Sequence, residues 1–157
     1  MTRTKVGKSI WLYKGDNWNF VLDKTATAMV VGVVEPGHTL PDGSMNNDWC
    51  NHLIVQDSEG NITDTPDYKC VVCPENTEDK VDTIQKYLCD NQADFSEIYQ
   101  PNDDSVIISV SWGDWRHSHM FLRTLMGYIG YQQMAEVLTE EDGSDCYSAD
   151  HYYSKVV

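Results

Sequence analysis

Two imidazoles, a carboxylate and a guanidinium fall within eight positions in Trp112-Gly113-Asp114-Trp115-Arg116-His117-Ser118-His119. Asp114, His117 and His119 are the residue types of a small enzyme or ligand-binding site. The segment also reads as a strand-to-helix junction, where free backbone N–H groups receive anions. Residues two apart on a helix point about 200° apart. His117 and His119 therefore do not grip one metal together if both are helical; one faces a sheet and the other faces water. Capping alone also accounts for Asp114.

Cysteine supplies the second set. Cys70-Val71-Val72-Cys73 with Cys50 and His52 offers four soft ligands, the number a structural zinc takes. The two valines between the cysteines are strand residues rather than knuckle residues, and in a strand Cys70 and Cys73 point to opposite faces. Buried free thiols are the stronger expectation, so no metal, cofactor or disulfide is expected. An odd count of five cysteines at irregular spacing fits a reducing, cytoplasmic compartment.

The third set is acidic. Glu140, Glu141, Asp142 and Asp145 lack the alternating oxygen ligands and distal Glu of a calcium loop. Cys146 and His151 are a conceivable nucleophile and base, but the surrounding carboxylates give the thiol nothing to lower its pKa. With Tyr147, and with Asp103 and Asp104, these residues read instead as an acidic, tyrosine-bearing contact surface. No phosphate loop, dinucleotide glycine fingerprint, nucleophile elbow or HExxH is present.

The elements that would position these groups change character near residue 74. Residues 1–74 read as strands: Ile10–Lys14 and Asn19–Leu22 around a Gly15-Asp16-Asn17 turn, Ala28–Val34 as a central strand apolar on both faces, then His52–Gln56 and Tyr68–Cys73. Residues 75–138 alternate helix and strand. Asn76 caps a helix with Glu78 and Asp79 in its first turn and Val81, Ile84 and Leu88 inward. Ser105–Trp112 is the clearest strand, with Val106, Ile108, Val110 and Trp112 on one face. A second helix carries Leu122, Leu125 and Ile129 and stops at Gly130, and Tyr131–Leu138 is a strand leading into an acidic, aromatic tail over 139–157. The expected architecture is one α+β domain over 1–157. It has a single mostly antiparallel sheet with two helices on one face, and its second half runs β-α-β-α-β.

Charge sets the functional expectation. The 157 residues carry 25 acidic and 11 basic side chains, a net of −14. Residues 1–24 hold Arg3, Lys5, Lys8, Lys14 and Lys24 against Asp16 and Asp23, a net of +3, which leaves −17 on the remainder. Such a field repels phosphate backbones and attracts a basic protein surface. No run of 18 apolar residues suggests a membrane span. The leading expectation is an acidic protein-binding module that occupies a basic, nucleic-acid-binding surface of its partner. That would make it an inhibitor and nucleic-acid mimic of the anti-CRISPR-like kind that phages and mobile elements encode. The alternative is the small site at Asp114, His117 and His119.

Overall fold

A computed structural model describes residues 5–14, 21–74, 80–143 and 145–156. The chain divides into two compact units, 1–73 and 74–157. The Gly15-Asp16-Asn17 turn and the helix start at Asn76, Glu78 and Asp79 lie outside the described residues.

The first unit is an antiparallel sheet of five strands: β1 (Ser9–Lys14), β2 (Val21–Val34), β3 (His52–Asp57), β4 (Ile62–Pro66) and β5 (Cys70–Val72), in the order β4-β3-β2-β1-β5. Its core gathers Ile10, Ala28, Val30, Leu53, Val55, Cys70 and Val72. β2 lies between two neighbours, as its apolar run suggests. Only one of its faces is covered, however: Met29, Val31 and Val33 remain exposed. Lys5, from the basic N-terminal stretch, is buried. Its ammonium donates to Asp67 Oδ1 at 2.6 Å, to the Asp67 carbonyl at 3.2 Å and to the Cys70 carbonyl at 3.0 Å. A buried ammonium needs such partners, so this charge serves the fold of the first unit and is withdrawn from any surface role.

The second unit holds α1 (Lys80–Asp90), β6 (Glu97–Asn102), β7 (Ser105–Asp114), α2 (Met120–Tyr128), β8 (Tyr131–Glu141) and β9 (Cys146–Lys155). Its four strands pair antiparallel in the order β6-β7-β9-β8. Among the described residues the chain is thus mostly β with two short helices, and two corrections to the expected fold follow. There are two antiparallel sheets rather than one, because each stretch of strands pairs with its own sequence neighbours. The second half runs α-β-β-α-β-β rather than β-α-β-α-β, because residues 146–155 fold back between β7 and β8 instead of trailing as a tail.

On β7, Val106, Ile108 and Val110 are buried in strict alternation. Ala149, His151 and Tyr153 continue that face on β9, and Ile84, Tyr87, Leu88, Leu122, Leu125 and Met126 of the helices are buried as well. The Tyr87 hydroxyl donates to the Leu125 carbonyl at 2.7 Å and ties α1 to α2. Trp112 breaks the expected alternation. A bulge between Val110 and Gly113 sets two β7 residues against one on β9. Trp112 turns outward, 48% exposed, with a φ of 52° that a bulky residue rarely adopts. Its backbone N–H donates to Ser148 Oγ at 3.0 Å, and Gly113 takes the inward place.

Candidate functional site

The bulge brings the junction under the sheet. After β7 the chain makes one π-helical turn, Trp115–His119, before α2 begins. That turn separates the two histidines as their spacing suggests: the His117 side chain is 84% exposed beside Asp114, at 3.4 Å, whereas His119 is buried. Asp114, His117 and His119 therefore do not form one site.

His119 meets a different set of residues. Its Nε2 lies 3.0 Å from the Gly113 carbonyl and 3.3 Å from that of Tyr147. Both are acceptors, so Nε2 carries the proton and Nδ1 presents a lone pair. That lone pair faces His151 Nε2 at 2.7 Å and lies 3.9 Å from Glu136 Oε1. His151 comes from β9 and Glu136 from its cross-strand partner position on β8. In the neutral pair His151 donates through Nε2, which leaves its buried Nδ1 without a hydrogen-bond partner. The Tyr147 ring stacks on His119 at 4.0 Å, the His151 ring centre lies 4.9 Å from that of His119, and the Tyr153 ring centre lies 6.1 Å from that of His151. Burial, opposed by the nearby Glu136 and Asp150 carboxylates and helped by the Arg123 guanidinium, holds the His151 imidazole down to about 4. Burial first, and then its bond to Glu136, pushes the Tyr147 phenol well up. Tyr147, expected as a partner contact, is therefore half-buried in this cluster.

Among the described residues, His119, Glu136 and His151 are the one group of three histidine, cysteine or carboxylate ligands whose ligand atoms lie within 4.8 Å of one another. Cys50, His52, Cys70 and Cys73 do not converge in this way. All five cysteines are free, and burial pushes the thiols of Cys70 up to about 12 and of Cys73 up to about 11. Cys146 and His151 are five residues apart on one strand and so face opposite sides of the sheet.

His52 sits in a separate ion-pair set. Its Nδ1 lies 2.8 Å from Asp64 Oδ2 and its Nε2 contacts Asp48. Burial alone would lower its pKa, but the hydrogen bonds to Asp48 and Asp64 outweigh this and raise it above 6.5. A raised pKa stabilises the fold fully below pH 6.5, and the contribution is lost as pH rises through the folded value. Urea midpoints should therefore fall across that range in the wild type, and this difference should shrink in His52→Gln. An equal pH dependence in both proteins would refute the assignment.

The acidic residues fall in two places. Asp103 and Asp104 form the β6–β7 turn, where the Asp104 carbonyl accepts from the Lys155 N–H at 2.8 Å. Glu140, Glu141, Asp142 and Asp145 lie at the β8–β9 turn, beside the far end of β7. The ten residues of β7 separate them by about 30 Å at about 3.3 Å per residue, so they are not one patch. β8 forms an edge of the sheet and is exposed over most of its length. It displays Met134, Val137 and Leu138, which are 62%, 49% and 50% exposed, together with Glu140 and Glu141. A shallow groove of about 530 Å³ lies between α2 and β8, lined by Arg123, Gly127, Gln133 and Met134 among others.

Compared with protein-family models, curated proteins and solved structures, the chain matches none of them. No helix among the described residues is long and apolar enough to cross a membrane.

Proposed function

We propose that the chain is a protein-binding module that engages a basic partner surface through the β8–β9 ribbon. The observation that carries this reading is the edge strand itself. Met134, Val137 and Leu138 are exposed in one strand with Glu140 and Glu141, and the turn that follows adds Asp142 and Asp145. A long open edge is a ready template for pairing with another chain. Exposed apolar side chains supply contact area, and the carboxylates select a basic partner and speed its approach. A partner surface that otherwise holds nucleic acid has this charge, so occupying it would make the chain an inhibitor acting as a nucleic-acid mimic. In this reading Asp103 and Asp104, at the opposite end of β7, take no part in the contact.

Capture from an extract of the native host tests this with three baits: wild type, the triple variant Glu140→Lys/Glu141→Lys/Asp142→Lys, and Val137→Lys. Such exposed substitutions should each change stability by no more than about 0.5 kcal/mol. The expected result is a protein held by the wild type at low salt. It should be released at about 1 M salt, where charges are screened beyond about 3 Å, and lost with both variants. Retention of the same proteins by all three baits, whatever the salt, would sink the reading. The second reading, a small ligand site, is favoured by one observation: the convergence of His119, His151 and Glu136. It predicts that ribbon variants keep activity while His119→Ala loses it with the domain still folded.

A further inference from the structure

We propose that His119 Nδ1, His151 Nε2 and a Glu136 carboxylate oxygen form a binding site for a divalent metal ion of borderline softness, such as zinc or cobalt. Glu136 and His151 lie on the same β8 and β9 strands as the contact residues of the ribbon, but metal binding here requires no protein partner.

The donor set selects the class of ion. Two imidazoles and one carboxylate suit zinc and its first-row neighbours. Calcium and magnesium prefer oxygen shells, and copper(I) prefers sulfur. The spacing also suits such an ion. With metal–ligand bonds of about 2.0–2.2 Å in a tetrahedral shell, ligand atoms sit about 3.3 Å apart. The observed separations are 2.7 Å between the imidazole nitrogens and 3.9 Å from His119 Nδ1 to Glu136 Oε1. Each needs to change by only about 0.6 Å. Glu136 is on the accessible side of the cluster and can make that movement.

The surrounding residues are those that orient metal ligands. A ligating histidine commonly donates its second ring N–H to a backbone carbonyl, which fixes the tautomer. His119 does so through Nε2 to Gly113, and its Nδ1 lone pair therefore points at the centre. The Tyr147 hydroxyl is bonded to Glu136, and the Tyr147 ring lies flat on His119. In the metal-free molecule a proton on His151 Nε2 bridges to His119 Nδ1. The ion takes the place of that bridging proton, which moves to His151 Nδ1, so the two imidazoles lose no proton overall. The carboxylate brings one negative charge, and three protein ligands leave a fourth position for water.

A purely structural histidine pair would have the same burial and the same hydrogen bond, so the test must read the metal. The full chain, treated with chelator and dialysed, is titrated with cobalt(II) and followed by visible absorption. Circular dichroism of each metal-free variant monitors the fold. The expected result is one equivalent bound, with ligand-field bands of a low-coordinate site and no thiolate-to-cobalt charge transfer. Glu136→Gln, at a half-exposed position that the fold tolerates, should weaken binding by about 10-fold or more, and Tyr147→Phe, which keeps the stacked ring, by about 10-fold. Absence of binding at millimolar cobalt would overturn the proposal. So would equal affinity in wild type and Glu136→Gln. A charge-transfer band that disappears in Cys70→Ser would also overturn it and would place the ion on the cysteines.

Discussion

Replacing Ile108 with alanine is expected to cost about 2–5 kcal/mol of unfolding free energy. The side chain is fully buried near the middle of β7, and its cross-strand neighbours are Ile98 on β6 and His151 on β9. Neither neighbour can close the void. β6 is an edge strand already paired at that position, and His151 is held by its hydrogen bond to His119. The lost transfer energy and the residual cavity therefore add. Ile107, one residue earlier, points to the opposite and partly open face, so Ile107→Ala should cost distinctly less. Urea melts of the two variants provide the comparison. If Ile108→Ala lost under about 0.5 kcal/mol, or Ile107→Ala lost as much as Ile108→Ala, β7 would not be facing as described.

That strand was legible because its alternation is written in apolar residues, and the same is true of Leu122 and Leu125 on α2 and of Gly130, whose φ of 89° ends the helix. β9 was not legible, for the opposite reason. Its inward residues include His151 and Tyr153, which a hydrophobic pattern scores as polar, and aspartate and serine share the strand. Reading Ala149, His151 and Tyr153 as one face with period two was the available signal. It would have moved His151 from an acidic tail to a buried sheet position. β6 hides behind Pro101, which an edge strand accepts where a central strand would not. The partnership of His119 with His151 and Glu136 could not be read at all. It depends on which strands become neighbours, and on a bulge that turns Trp112 out and lets the chain bring His119 inward. Local spacing instead paired His119 with His117, which the same turn sends into water.

Gly113 is the residue on which that turn depends, and Gly113→Ala is expected to cost about 1–3 kcal/mol through overpacking. An added Cβ would meet Val110 Cγ1 at 2.7 Å, Ser118 Cβ at 2.8 Å and His119 Nε2 at 3.0 Å. None of the three yields easily. Val110 is β-branched and buried, the Ser118 Cβ moves only with its backbone, and His119 is held by the carbonyl of Gly113 itself. Relief must come from shifting the π-helical turn, which would carry His119 away from His151. The imidazole resonances of both histidines should therefore move in the variant along with its stability. Gly127, on α2, is the contrast within the same unit: nothing lies within 4 Å of its added Cβ. Alanine suits a helix better than glycine, so Gly127→Ala should raise stability by about 0.4–1 kcal/mol. Opposite signs for the two Gly→Ala changes, with histidine shifts confined to Gly113→Ala, are the expected outcome. If Gly113→Ala melted like the wild type and left both imidazoles in place, the close contact around Gly113 would not be what seats His119.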